Sequence, residues 1–291
     1  MRRMKKKITI KKRLTSGLIL LIAGAIAVAV LIPFVSVVLH SFVAPNAIRL
    51  NENESARILF LPYPISMKQY LNAILYDRET LIFFWNTVGL TVPILAGGMV
   101  VSILSGYGLA KFQFPFKRVV LFTYILVMLL PVQINVVGSY LFFDKLKLIG
   151  SRLGVILPGI FSSFGAFLMY QFMKGISDET LESARLDGAN ELQILIKIVI
   201  PQVKSGIASM LILMLIDCWN MVEMPMSILK EERLYPLSIM LRYIGNTDPG
   251  IIYAATVVFS IPLLLVFFMA QEQLTEGIKR SGQINLGTVK K

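Results

Sequence analysis

The sequence predicts an all-α integral membrane protein with six transmembrane helices, and three observations carry that reading. Of its 291 residues, 56% are apolar and only 16% are charged, against about half and about a quarter in a soluble domain. The apolar residues gather into windows of about 20, the length that crosses a bilayer as a helix. Between the windows, Lys and Arg fall unequally on alternate sides, as they do in oriented membrane proteins.

The first window, Gly17–Leu39, follows the basic start MRRMKKKITIKKR. Such a start resembles a signal peptide, but the apolar run is too long and no A-x-A site follows, so it is expected to span. Residues 1–16 are then a basic tail. Segment 40–84 is polar and carries Pro45, Pro62 and Pro64, the composition of an external loop. Trp85–Gly108, Val119–Leu141 and Leu153–Met173 are the second to fourth spans, with an outer loop at 142–152. Residues 177–204 form an elbow, Gly206–Leu229 the fifth span, 230–250 an outer loop and Ile251–Gln271 the sixth span. The membrane domain therefore covers 17–271, and 272–291 is a polar tail.

Six crossings place both termini on one side. That side holds 19 Lys and Arg, the other ten, and the four basic residues of segment 40–84 are matched by four acids. The bias places the termini in the cytoplasm of a multi-pass protein of the cell membrane. The net charge of +12 does not indicate nucleic acid, because the basic N-tail has no interleaved aromatics. Membrane lipid is its expected neighbour. Cys218 and His40 are the sole cysteine and histidine, which excludes an intrachain disulfide and a Cys/His metal centre. No cofactor bound by this chain is expected.

Each expected span contains one proline: Pro33, Pro93, Pro131, Pro158, Pro225 and Pro262. Prolines bend membrane helices where neighbours re-satisfy the freed carbonyl. In the second span Gly98, Ser102, Gly106 and Ala110 recur at four-residue spacing, a stripe that admits another helix closely, either within the chain or from another subunit.

The stretch LESARLDGANELQILIKIVIP, residues 181–201, is too ordered for a connector. Ser177 is placed to cap a short helix with Asp178 and Glu179 in its first turn. Gly188 is placed to end that helix. Asn190 and Gln193 have the spacing of a capping box for a second helix, apolar nearly all round and closed by Pro201. On the first helix Leu181, Ala184 and Gly188 share a stripe flanked by Glu182 and Arg185. The segment 178–191 is net acidic, which favours a protein groove over lipid headgroups as the partner.

The spacing E-x-A-x-x-x-G, nine residues, then I-x-I-P, carried here by Glu182, Ala184, Gly188, Ile198 and Pro201, resembles the EAA loop of permease subunits of binding-protein-dependent ABC importers. Asp187–Gly188–Ala189, Asn86–Thr87, the run from Gly106 to Phe112 and Trp219–Asn220 are similar to the carbohydrate branch, in particular its maltose-type inner-membrane permeases. The likeness runs from about Trp85 to Gly282, with departures at Ser177, Ser183, Ile200, Ser205 and Met221. It implies the type I ABC importer permease architecture and a transport subunit for a sugar or oligosaccharide. It also implies a second homologous permease as a heterodimer partner, two ATPase subunits and an extracytoplasmic solute-binding protein. Glu182, Ala184, Arg185, Asp187, Gly188, Ala189 and Pro201 are then the residues that couple to the ATPase. The chain has no G-x-x-x-x-G-K-[ST] loop, so ATP and Mg belong on the partner subunits.

Ionisable groups inside a span are candidates for function. Asp217, Trp219, Asn220 and Glu223 stand three and four residues apart in the expected fifth span, and Gln133 and Asn135 follow Pro131 in the third. On a continuous helix the first four are neighbours. An aromatic face beside amide and carboxylate groups suits a sugar; bonds between helices or to the sister permease are the other use. A non-sugar solute is the alternative within this type of importer. An ion-coupled secondary transporter is the competing class, without the repeats or paired midplane charges expected of one. A membrane-embedded enzyme lacks a constellation of acids, His and Cys.

Overall fold

The computed structural model describes residues 2–43, 65–76, 78–241 and 249–288. Among them the chain is helical throughout, with one isolated bridge, Val43 to Ile65, in place of any strand. Prolines 45, 62 and 64 and most of the outer loop after residue 241 lie outside the described residues.

The chain divides into two units. The first comprises residues 1–77 and 244–258. Helix α1, Arg2–His40, contains Pro33 and a 25-residue apolar stretch, Ser16–His40, long enough to cross a membrane. Its end is tied to the short helix α2, Lys68–Leu71. Ser41 and Tyr70 share a hydrogen bond of 2.7 Å between hydroxyls, and buried Gln69 donates to the Val43 carbonyl at 3.2 Å. The chain at Ser41–Val43 is thereby held to Gln69 and Tyr70.

The second unit comprises residues 78–243 and 259–291. Its axis is α3, Arg78–Lys111, packed against α6, Leu153–Ile160, α7, Ser163–Lys174, and α10, Lys204–Trp219. The small residues of α3 are the contact. A Cβ on Gly106 would stand 2.5 Å from Met169 Cβ and 2.9 Å from the Tyr170 amide nitrogen, and one on Gly98 would strike Met214. Ser102 faces Gly165. The stripe is thus an internal helix–helix seam, made where absent side chains let backbones approach.

Three expected spans differ from straight helices. The third is two helices, α4, Lys117–Leu129, and α5, Val132–Lys145, bent by 108°. Pro131 lacks an N–H and pushes Leu130 into the extended region, φ −69°, ψ 136°, so the helix cannot continue through it. The fourth is interrupted at Phe161, where Ser162 caps α7 by accepting from the Gly165 amide at 3.1 Å. The fifth ends at Trp219, and a separate helix α11 covers Glu223–Ile228. Pro225 falls in the first turn of α11, where its missing donor costs nothing.

Helix α12, Pro249–Thr288, contains Pro262 and the apolar stretch Ile251–Met269. By length and composition four helices can cross a membrane, or up to six if each bent pair is one crossing. The second bent pair is not the expected 206–229. It joins α9, Glu191–Gln202, to α10 across a 79° bend at Val203.

Candidate functional site

The elbow is built from α8, Asp178–Leu186, and α9. The α8 helix ends in a Schellman arrangement. Gly188, at φ 85°, donates from its amide to the Arg185 carbonyl at 3.0 Å, and Ala189 donates to Ala184 at 3.0 Å. This pattern satisfies the last carbonyls and requires a left-handed residue. Two residues later the capping box closes: Asn190 Oδ1 accepts from the Gln193 amide at 2.8 Å, and Gln193 Oε1 from the Asn190 amide at 3.0 Å. One helix end and one helix start are thus stitched within six residues. The α9 helix widens into a π turn over Leu195–Val199, and Pro201 stands in the final turn, Ile200–Gln202.

Ser177 takes the N-cap position of α8, but its hydroxyl makes no capping bond. The start of the elbow is held from another element instead. Lys111, at the end of α3 with its side chain only 4% exposed, donates to the Ile176 carbonyl at 2.5 Å and to Asp178 Oδ1 at 2.7 Å. The hydrogen bond and charge of Lys111 hold the Asp178 carboxyl below its ordinary range. A second tie lies one turn up α3. Tyr107 donates to Glu191 Oε2 at 2.7 Å, while Arg185 Nε donates to Glu191 Oε1 at 2.8 Å. Glu191 therefore joins α8, α9 and α3.

The expected docking ridge is turned the other way. Leu181 is 1% exposed and lies in a core cluster with Met169, Met173, Ile176, Ile194 and Val199, with Ala184 and Ala189 packed against it. An apolar stripe beside a greasy bundle is buried in its own chain before any partner arrives. The exposed face of α8 carries Glu182, Ser183 and Arg185, and Asp187 and Gly188 are exposed just past its C-terminal end. At its C-terminal end Leu186 is 89% exposed, a large apolar side chain that the motif does not mark. The second helix is likewise two-faced, with Ile194 and Val199 buried and Leu192 and Ile196 exposed.

The candidates for a substrate path are scattered. Trp219 is 4% exposed; its Nε1 donates to the Phe259 carbonyl at 3.0 Å, and its ring meets Phe259 and Phe84. No open aromatic face remains for a sugar. Asn220 caps α10 and donates to the Ile216 carbonyl at 2.9 Å. Glu223 begins the next helix, so its expected neighbourhood with Trp219 and Asn220 on one helix does not exist. Asp217, Asn220 and Glu223 are exposed, as are Gln133 and Asn135 in the first turns of α5.

At the other end of α3 stands a polar knot that the sequence reading did not identify. Buried Asn86 donates to the carbonyls of Arg233 at 2.6 Å and Tyr235 at 3.0 Å, and accepts from Arg152 at 2.6 Å. Buried Thr87 accepts from the Leu237 amide at 2.9 Å and donates to Phe83. The pair Asn86–Thr87 was visible as a motif, but Arg152 lies 66 positions away and the loop partners 147 to 150, and no local pattern points to them.

Comparison with known proteins places these features. Residues 79–280 match the family described as binding-protein-dependent transport system inner membrane component. The chain is 26% identical to the arabinooligosaccharides transport system permease protein AraQ of Halalkalibacterium halodurans, covering 88% of this chain and 92% of that protein. It is 25% identical to the sn-glycerol-3-phosphate transport system permease protein UgpE of Brucella abortus, covering 90% and 94%. A chain of the crystal structure of a bacterial ABC transporter involved in the import of the acidic polysaccharide alginate has the same fold, with a TM-score of 0.78, 24% identity, and coverage of 89% of this chain and 96% of that one.

Proposed function

The chain belongs to the family of binding-protein-dependent transport system inner membrane components, and from that premise we propose that it is the permease subunit of a carbohydrate importer, coupled to an ATPase through the 177–204 elbow. It is a transport subunit of the bacterial cytoplasmic membrane, and the hydrolysis of ATP belongs to separate subunits. Relatives named for arabinooligosaccharides and for lactose support a sugar or oligosaccharide as cargo. The UgpE relatives support the second reading, a phosphorylated non-sugar solute.

One observation carries the coupling. The elbow is stitched by its own caps between Ala184 and Gln193, is bonded to α3 at two points, and still presents an exposed leucine among charged residues. Leu186 is the anchor for a cleft on the ATPase, with Glu182, Arg185 and Asp187 around it; Gly188, Ala189 and Ala184 shape the turn, and Pro201 sets the exit toward α10. The elbow and both termini then lie in the cytoplasm. A second, homologous permease completes the path, and an extracytoplasmic solute-binding protein delivers the cargo. Within the path, Asp217, Asn220, Glu223, Gln133 and Asn135 are the exposed polar groups on offer, while Trp219 acts by packing.

The test is co-purification of the tagged full-length chain with its partners, followed by ATP hydrolysis and sugar uptake, for the native chain and for Leu186→Asp. The variant is expected to insert normally, to lose most of its bound ATPase and to lose uptake. Full recovery of the ATPase with Leu186→Asp removes Leu186 as the anchor. Uptake of sn-glycerol-3-phosphate without uptake of any sugar replaces the first reading of the cargo by the second.

A further inference from the structure

We propose that the groove at the elbow-side end of α4 binds the phosphate group of an anionic phospholipid. A cavity of about 460 Å³ lies between the 112–116 turn, the start of α4 and Tyr170 of α7, within the range of about 300–1,000 Å³ usual for small-ligand sites. Its lining has two chemistries. Lys117 and Arg118 bring two cations, Gln113 an amide and Tyr170 a hydroxyl. Lys174 stands nearby, its ammonium 5.9 Å from the centre of the Tyr170 ring.

The cations are placed and not consumed. Lys117 donates to the Phe112 carbonyl at 2.9 Å, which fixes the ammonium and leaves two of its three donors. Asp178, the acid on the neighbouring helix start, is engaged by Lys111 at 2.7 Å. Phe116, at the cap position of α4, supplies no side-chain cap; the Lys117 and Val120 amides bond the Phe114 and Phe116 carbonyls, and the helix start adds its dipole to the positive lining that the side chains set.

The other wall decides between a free anion and a lipid. Leu121 lines the cavity, and from there α4 has no buried residue, exposing Val119, Phe122 and Ile125 along its length. A soluble phosphate uses the cations and leaves this strip idle. A phospholipid uses both, its headgroup among the basic residues and its chains along α4, as at basic pockets between membrane helices elsewhere. The site needs only that the 112–118 turn lie at a membrane surface. It stands whether or not the elbow docks an ATPase.

Native mass spectrometry of the full-length chain in mild detergent tests the site, with phosphatidylglycerol, phosphatidylcholine and inorganic phosphate as probes. Each basic residue near anionic lipid contributes a factor of about five. Arg118→Gln, which spares the Lys117–Phe112 bond, is therefore expected to weaken phosphatidylglycerol binding about fivefold, and Lys117→Ala with Arg118→Gln about 25-fold. Phosphatidylcholine binding is expected to stay unchanged in both, and Lys145→Ala to leave phosphatidylglycerol binding as it was. Equal binding of the two lipids by the native chain, or a phosphatidylglycerol preference that survives the double change, overturns the site. Displacement of phosphatidylglycerol by inorganic phosphate at equal concentration overturns the lipid assignment in favour of a soluble anion.

Discussion

Removing the Glu191 carboxylate should loosen the elbow without disturbing the bundle. Two bonds are lost in Glu191→Ala, and they are unequal. The Arg185–Glu191 pair is exposed, at 39% and 43% of its side chains, and such pairs contribute about 0–1 kcal/mol. The Tyr107 hydroxyl belongs to a residue 5% exposed and bonds an ionised acceptor, an interaction of about 1.5–3 kcal/mol. The tyrosine bond therefore dominates. The local opening free energy of the elbow should fall by about 1.5–3 kcal/mol, which is a rise of about 10- to 150-fold in hydrogen exchange for amides that open with it. Exchange at 179–194 is the readout, with the α3–α7 seam around Gly106 and Met169 as the internal standard. Tyr107→Phe should reproduce most of the effect, and the double variant should add little to either single change, since both remove one bond. Additive effects in the double variant, or unaltered exchange at 179–194 in Glu191→Ala, would show that Tyr107 and Glu191 do not hold the elbow to α3.

Two further perturbations address the ends of α3. Because Lys111 depresses the Asp178 carboxyl, the link contributes stability that is fully present above the ordinary carboxyl value of 3.8 and is lost as the pH falls below it toward the depressed value. Asp178 is 77% exposed, so the effect is small; it should appear as faster elbow exchange in acid, and Lys111→Met should remove the pH dependence in that window. At the opposite end, Asn86→Ala removes three part-buried hydrogen bonds, to the Arg233 and Tyr235 carbonyls and from Arg152, each of about 0.5–1.5 kcal/mol. Exchange of the 233–237 amides should rise steeply while the elbow is unaffected, and protection unchanged at 233–237 would mean that the loop is held by other contacts.

Legibility in the sequence followed the range of the interaction. The elbow was readable because its devices are local: Gly188 after a short helix and Asn190 with Gln193 close their bonds within five residues. Apolar windows were readable as membrane helices because hydropathy needs no partner. The break at Leu130–Pro131 was not, since proline is compatible both with a bent membrane helix, as at Pro93 within α3, and with a full stop; neighbours decide which. The same holds for the end of α10 at Trp219. Its indole is fixed by the Phe259 carbonyl, 40 residues on, and the residue looked free for a ligand only because that carbonyl is invisible in a local window. Leu181 and Leu186 made the opposite errors possible. Both are leucines of a nine-residue helix, and only the docked position of that helix tells which is core and which is surface.

The two polar clusters give α3 a mechanical meaning that neither has alone. Tyr107 and Lys111 bind its one end to the elbow; Asn86 and Thr87 bind its other end to the 233–237 loop. The 21 positions from Asn86 to Tyr107 span roughly 30 Å at the rise of an α-helix, about the thickness of a bilayer core. Between these ends the glycine seam locks α3 against α7 and α10 backbone to side chain, so α3 cannot slide without carrying them. The elbow follows α7 after a three-residue turn and leads into α10 across the bend at Val203. A force applied at Leu186 reaches α3 through Glu191 and Asp178 without crossing any helix break, and α3 carries it to the 233–237 loop. Pro93 sits in the middle of this rod, yet α3 remains one uninterrupted helix, because Leu90, Thr91 and Ile94 around the proline are buried and packing holds the helix where a backbone hydrogen bond is missing. The soft points lie elsewhere, at Leu130–Pro131, Asn220–Val222 and Val203, where helices stop and restart. Motion of this unit is therefore expected to be rotation of one rigid block about those breaks, the hinge form of conformational change, and not bending of its long central helix.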